Sequence, residues 1–179
     1  MRDKIRDLLL ESIQVKEEIL RNQISQIKDI ADLIIDALKK NGKVIVFGNG
    51  GSASDSQHIA AEFIWRFKKE RNPLAAIALT TNTSILTALA NDYGYETVFS
   101  KQLEALGQKD DIAIGISTSG KAKNVSLALK QAKKMGIKTI ALTGGDGGEI
   151  AKLADTSLIV PSMVTARIQE AHITIAHII

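Results

Sequence analysis

The sequence predicts an α/β fold: one domain built on a five-stranded parallel sheet flanked by helices, with two helices ahead of it. Five short apolar runs, at residues 43–47, 75–79, 112–116, 138–142 and 157–160, are separated by segments of helical periodicity. Most of these runs are apolar at consecutive positions, as in parallel strands buried on both faces, rather than alternating as half-exposed strands do. Polar, glycine- or hydroxyl-rich turns follow the first four runs, where the strands of an open sheet lead into helices.

Taken in order, residues 5–21 place Ile5, Leu8, Leu9, Ile13, Val15, Ile19 and Leu20 at helical spacing. A second helix covers 24–38 before Lys-Lys-Asn-Gly ends it. The apolar faces of this pair need cover, so residues 1–40 read as a helical oligomerisation segment. KVIVF, GNGGS and a helix over 52–67 come next, then AAIAL and helices over 84–106. IAIGI, the STSGKAKN turn and a helix over 123–135 lead to KTIAL, TGGDGG, a short helix at 149–154, the last strand and a final helix from Thr165. No repeat or linker interrupts this pattern, so a single domain spans 1–179.

Hydrophobic residues make up 45% and charged ones 24%, the balance of a globular protein with a substantial core. No apolar run approaches the roughly 20 residues of a membrane helix, and the charged start is unlike a secretory leader, so a cytoplasmic protein without a membrane partner is expected. Without cysteine, any metal must be held by histidine, carboxylate, amide or water. A net charge of +3, spread among acidic residues, with four Phe, two Tyr and one Trp, argues against a nucleic-acid partner. The basic stretch RFKKER (66–71) reads as a solvated helix end without a catalytic role.

Chemistry concentrates in three places. GNGGS lacks the lysine of a nucleotide loop, yet its glycines let backbone N–H groups approach an anion at a helix start. ISTSG places Ser117, Thr118 and Ser119 between a strand end and a helix; an ordinary cap needs one hydroxyl, whereas three suit a phosphate. His58 and Glu62, at i and i+4, share a helix face, which suits two ligands of one metal, an acid-base pair or a plain surface pair. The last helix carries Gln169, His172 and His177. Gln169 and His177 stand eight residues apart, ~12 Å on an ideal helix, so spacing alone favours His172 beside Gln169 unless side chains converge or different subunits contribute.

Together GNGGSASDSQHIAAEFIWRF, AIALTTNTSILTALANDYGYETVFSKQLEALG, IGISTSG and TARIQEAHITIAHI resemble the phosphoheptose isomerases of the SIS (sugar isomerase) domain family, in the right order and over nearly the whole chain. The resemblance implies a SIS fold and a homotetramer with active sites near subunit interfaces. It also implies cytoplasmic conversion of sedoheptulose 7-phosphate to D-glycero-D-manno-heptose 7-phosphate through an enediol, supplying nucleotide-activated heptose for lipopolysaccharide or other surface glycans. Carried over residue by residue, it implies substrate contacts at Asn49, Gly50, Gly51, Ser52, Asn91, Asp92, Ser117, Thr118 and Ser119, with Glu62 and Gln169 also reaching substrate. It implies one zinc per subunit, held by His58, Glu62, Gln169 and His177, with Glu62 and His177 as the acid-base pair and His172 left structural.

The sequence departs from the family pattern at Ala122, where the phosphate loop usually has a further serine and Lys121 or Lys123 would have to compensate. Asn82 replaces the commoner aspartate, and Met163 and Val164 occupy a stretch that is often acidic. Two other readings stay open. One is a non-catalytic SIS protein that binds the replication initiator, although such relatives lack the helix carboxylate and the last histidine. The other is an isomerase of a different ketose phosphate.

Overall fold

The computed structural model describes all 179 residues. Helices α1 (Arg2–Asn22) and α2 (Ile24–Lys39) precede strand β1 (Val44–Gly48) and helix α3 (Gly51–Ile64). Strand β2 (Ala76–Ala78), α4 (Thr83–Tyr93), a 3-10 turn at Tyr95–Thr97 and α5 (Val98–Leu106) come next. The chain closes with β3 (Ile112–Ser117), α6 (Lys123–Lys134), β4 (Lys138–Gly144), α7 (Gly148–Leu153), β5 (Thr156–Val160) and α8 (Thr165–Ile178). All five strands pair in parallel, in the order β2-β1-β3-β4-β5.

Alternate strand residues face two separate cores, which is why the runs had to be apolar throughout. Val44, Val46, Ile112, Ile114 and Ile116 pack with Ile30 and Ile34 of α2 and Ile168 and Ile175 of α8. Ile45, Phe47 and Ala113 pack on the opposite face with Phe99 and Leu103 of α5 and Val125 and Leu129 of α6. Strand β2 is three residues long where five were expected; it lies at the sheet edge, and the Pro73 just before it offers no N–H to a ladder. The helices expected over 84–106 divide at Gly94, whose φ of 90° no α-helix contains. Helix α3 stops at Ile64, with Trp65 already extended, three residues before the expected end.

Helix α2 buries Ile27, Ile30, Ile34 and Ala37, whereas α1 buries only Val15 and Ile19 and is otherwise tied down at few points. Gln23 Nε2 donates to the Ile159 carbonyl at 2.7 Å, and Arg167 of α8 donates to the Leu8 carbonyl at 2.8 Å. Ile5, Leu8, Leu9, Leu10, Ile13, Leu20 and Ile24 nonetheless remain exposed. No helix is long and apolar enough to cross a membrane.

His172 is buried, with its Nε2 3.0 Å from the Thr143 carbonyl of β4, the structural place expected for it. Burial lowers its pKa from 6.5 to about 4, opposed by that hydrogen bond. The folded protein therefore holds it neutral where the unfolded chain would bind a proton. Its contribution is fully present above about pH 6.5 and is lost as pH falls toward 4, which amounts to roughly 3 kcal/mol. Unfolding free energies from urea titrations at pH 7 and pH 4.5 should differ by that order, and a His172→Asn variant should flatten the difference; an equal pH dependence in both proteins would contradict this assignment.

Candidate functional site

The order of the strands locates the site. Strands β1 and β3 are neighbours, with Gly48 beside Ile116, but β1 leads outward to β2 whereas β3 leads to β4 and β5 on the other side. Connections that diverge from adjacent strands leave a crevice beyond the strand ends, the usual ligand position in open α/β sheets. The residues following β1 are Asn49, Gly50, Gly51 and Ser52; those at the end of β3 are Ser117, Thr118, Ser119 and Gly120.

Each loop has a physical reason for its glycines. Gly50 turns the chain into α3 at φ 55°, ψ −121°, a conformation closed to side chains, and the Ser52 N–H then donates to the Asn49 carbonyl at 3.0 Å. Gly120, at φ 64°, lies backbone to backbone against Gly147 and Gly148, where a Cβ would overlap the Gly147 carbonyl. Ser52 and Ser117 are buried, Thr118 is half-buried and Ser119 is exposed. Ala122 is the N-cap residue of α6 and, being alanine, caps it with no side chain. Asn82 is explained locally: its Oδ1 accepts from the Ile85 N–H at 3.1 Å to cap α4, a task aspartate performs equally well. Met163 and Val164 are exposed before α8, and nothing in the structure explains either one.

A second group forms further along α3. His58 Nε2 lies 3.2 Å from Glu62 Oε1 and 3.2 Å from His177 Nε2. Phe67 stacks on the His177 ring at 5.0 Å between centroids and 24° between planes. These side chains, with Lys68, Lys69 and Arg71, line an open cavity of about 620 Å³. Arg71 also donates to the Glu62 and Phe63 carbonyls at 2.8 and 2.9 Å, so the basic stretch closes the end of α3 and forms the rim of this cavity.

Helices α3 and α8 lie together, and their pairing separates the two polar residues of α8. Gln169 packs against Gly51, where a Cβ would strike its amide, while His177 reaches His58. Within one chain the structure thus brings together His58, Glu62 and His177 and places Gln169 at the loop instead. Asn91 and Asp92 sit in the exposed last turn of α4, bonded to each other at 2.8 Å. Sequence reasoning missed Phe67, which no spacing rule connects to His177, and the two groups that hold Asn49, namely Asn124 and Tyr95.

The imidazole pair carries a charge argument. One nitrogen atom, His58 Nε2, faces both a carboxylate oxygen and another imidazole nitrogen. If it bears a proton it serves both as a shared donor; if it does not, its lone pair faces the carboxylate at 3.2 Å. A cation among the three removes the conflict, and 3.2 Å is close to the edge of a tetrahedron with ~2.0–2.1 Å zinc–nitrogen bonds. The donor types and these two spacings suit zinc, but His58 Nε2 lies in the middle of a string, so the three groups do not enclose a single point as they stand. One turn earlier on α3, burial holds the Asp55 carboxyl above the usual carboxylate range, opposed by its attraction to His58.

Comparison with known proteins gives this geometry a family. The SIS domain family matches residues 9–144. The phosphoheptose isomerase of Aquifex aeolicus is 55% identical over 179 residues, covering 100% of this chain and 94% of its own, and that of Thermodesulfovibrio yellowstonii is 52% identical over 99% and 88%. The chain belongs to the phosphoheptose isomerase family of SIS-domain proteins. Solved phosphoheptose isomerases share its fold throughout. That of Neisseria gonorrhoeae superposes with a TM-score of 0.94 at 45% identity, covering 99% of this chain and 95% of its own. That of Francisella tularensis gives 0.95 at 41% identity over 98% and 94%. The single-sheet SIS architecture expected from the sequence is therefore the one observed.

Proposed function

We infer that the chain is an aldose-ketose isomerase that converts sedoheptulose 7-phosphate to D-glycero-D-manno-heptose 7-phosphate. The observation that carries this reading is the Glu62–His58–His177 string at one end of α3, with the hydroxyl- and glycine-lined crevice at the other. Ten residues of helix separate Ser52 from Glu62, ~15 Å at ~1.5 Å per residue, which suits a long open-chain sugar held by its phosphate away from the reacting carbons.

The crevice takes the phosphate, with Ser52, Ser117, Thr118 and Ser119 and the Lys123 and Asn124 N–H groups at the start of α6 as donors. Glu62 removes a proton from C1 while His177 gives one to the C2 oxygen, forming the enediol. Glu62 then returns its proton to C2, and His177 takes the proton of the C1 hydroxyl as the aldehyde forms. The Phe67 ring limits the swing of His177 during both transfers. Zinc, when bound by His58, Glu62 and His177, would polarise the carbonyl and stabilise negative charge on its oxygen, with Gln169, which lies at Gly51 within one chain, able to complete the set only from another subunit. Metal analysis of the purified protein should find one zinc per chain, lost in a His58→Ala variant; full occupancy in that variant would refute the assignment of ligands.

The exposed α1 face and the half-open cavity around His58 (46% side-chain exposure) support a homotetramer with sites near subunit interfaces. Light scattering should give four times the 19.3 kDa chain mass, whereas a monomer at micromolar concentration would oppose this reading. We place the reaction in the cytoplasm and its product upstream of nucleotide-activated heptose for surface glycans, following the family resemblance. Run in deuterium oxide, the reaction should leave deuterium at C2 of part of the product aldose, to the extent that the proton on Glu62 exchanges with solvent before its return; product wholly free of deuterium would show that the proton passes from C1 to C2 without exchange.

A further inference from the structure

The proposed reading assigns Asn49 to substrate but leaves open what holds its amide in place, and the answer lies on a different element. Asn124, 5% exposed in the first turn of α6, exchanges two hydrogen bonds with Asn49: Asn49 Nδ2 donates to Asn124 Oδ1 at 2.9 Å, and Asn124 Nδ2 donates to Asn49 Oδ1 at 2.8 Å. Asn124 Oδ1 also accepts the Val125 N–H at 2.9 Å. Tyr95 Oη adds a longer bond, 3.3 Å, to Asn49 Oδ1.

These partners fix orientation by elimination. A backbone N–H can only donate, so the atom of Asn124 facing Val125 must be the oxygen, and its NH₂ must then face Asn49. The NH₂ of Asn124 can only donate, so the atom it meets on Asn49 must be the oxygen in turn. Both lone pairs of Asn49 Oδ1 are now engaged, by Asn124 and Tyr95, and one of its two N–H bonds points at Asn124. The group left over is a single N–H donor. The pair also bridges β1 and β3 beyond their ends, at the point where their connections diverge.

We propose that Asn124 is a positioning residue: working from α6, it holds Asn49 as a dedicated hydrogen-bond donor to an oxygen of the sugar phosphate, with Tyr95 as a weaker third support. This rests on the isomerase reading above. The site therefore selects an acceptor oxygen at that position and rejects a group that can only donate. The Asn124 side chain is taken up by Asn49 and the Val125 N–H and does not reach substrate, so the effect of changing it must pass through Asn49.

A double-mutant cycle measures that dependence. Steady-state kinetics with sedoheptulose 7-phosphate would be run on the wild type, Asn49→Ala, Asn124→Ala and the double variant, with Asn124→Leu as a volume-keeping second version should the alanine variant fold poorly. Asn124→Ala should raise KM on the order of tenfold with kcat within about threefold, the size of a lost hydrogen bond that held a binding group. In the Asn49→Ala background the same change should alter KM less than about twofold. Equal effects in both backgrounds, for both substitutions, would overturn the proposal and leave Asn124 a residue of fold alone. Absence of turnover by the wild type would instead refute the isomerase reading, so the two failures are distinguishable.

Discussion

Glu62→Gln is expected to lower kcat by about 10²–10⁴-fold while the protein keeps its fold and its affinity for the sugar phosphate, because the amide preserves shape but cannot accept the C1 proton. Glu62 is partly exposed at the open cavity, and its oxygen meets His58 at 3.2 Å, so an isosteric amide disturbs no packing. His177→Ala should produce a loss of similar order by a different route, removing the group that moves the oxygen protons and unstacking Phe67. Deuterium exchange at C1 of the substrate separates the two. It should vanish in the glutamine variant, since that exchange requires the carbon base. Glu62→Gln at wild-type kcat would remove the carboxylate from the mechanism.

The second large effect concerns the crevice rather than the chemistry. Gly120→Ala should cost roughly 2–4 kcal/mol, combining a left-handed backbone angle with a methyl group forced onto the Gly147 carbonyl. Relief requires the β3–α6 and β4–α7 connections to move apart, and the Ile150 N–H bond to the Gly120 carbonyl, 3.1 Å long, goes with them. The loop bearing Ser117, Thr118 and Ser119 then loses its support, so KM should rise together with the fall in melting temperature. The measurement is a thermal melt paired with kinetics; an alanine variant of unchanged stability would show that the close approach of the two loops is not needed.

The sheet was legible because its strands are buried on both faces and so are written as unbroken apolar runs, which is how Val44–Gly48 and Ile112–Ser117 stood out. Edges and ends were less legible. The strand at Ala76–Ala78 was shortened by its place at the sheet edge, which is a property of strand order and not of the residues themselves. The loops after β1 and β3 were visible as glycines and hydroxyls at strand ends, and the His58–Glu62 pair as a helical repeat. That His177 rather than His172 joins them depends on how α8 lies against α3, and spacing on one helix pointed the other way. Asn124 was unreadable for a related reason: an asparagine in a helix's first turn looks like an ordinary end residue until β1 and β3 are known to be adjacent.

The measurement that tests the account most directly is the kcat/KM of the purified protein, zinc supplied, for sedoheptulose 7-phosphate against fructose 6-phosphate. The heptulose phosphate should be isomerised to the corresponding aldose and strongly preferred over the hexulose phosphate. Turnover of neither sugar, with phosphosugar binding intact, would contradict the account and make the chain a binding protein that carries an unused set of catalytic groups.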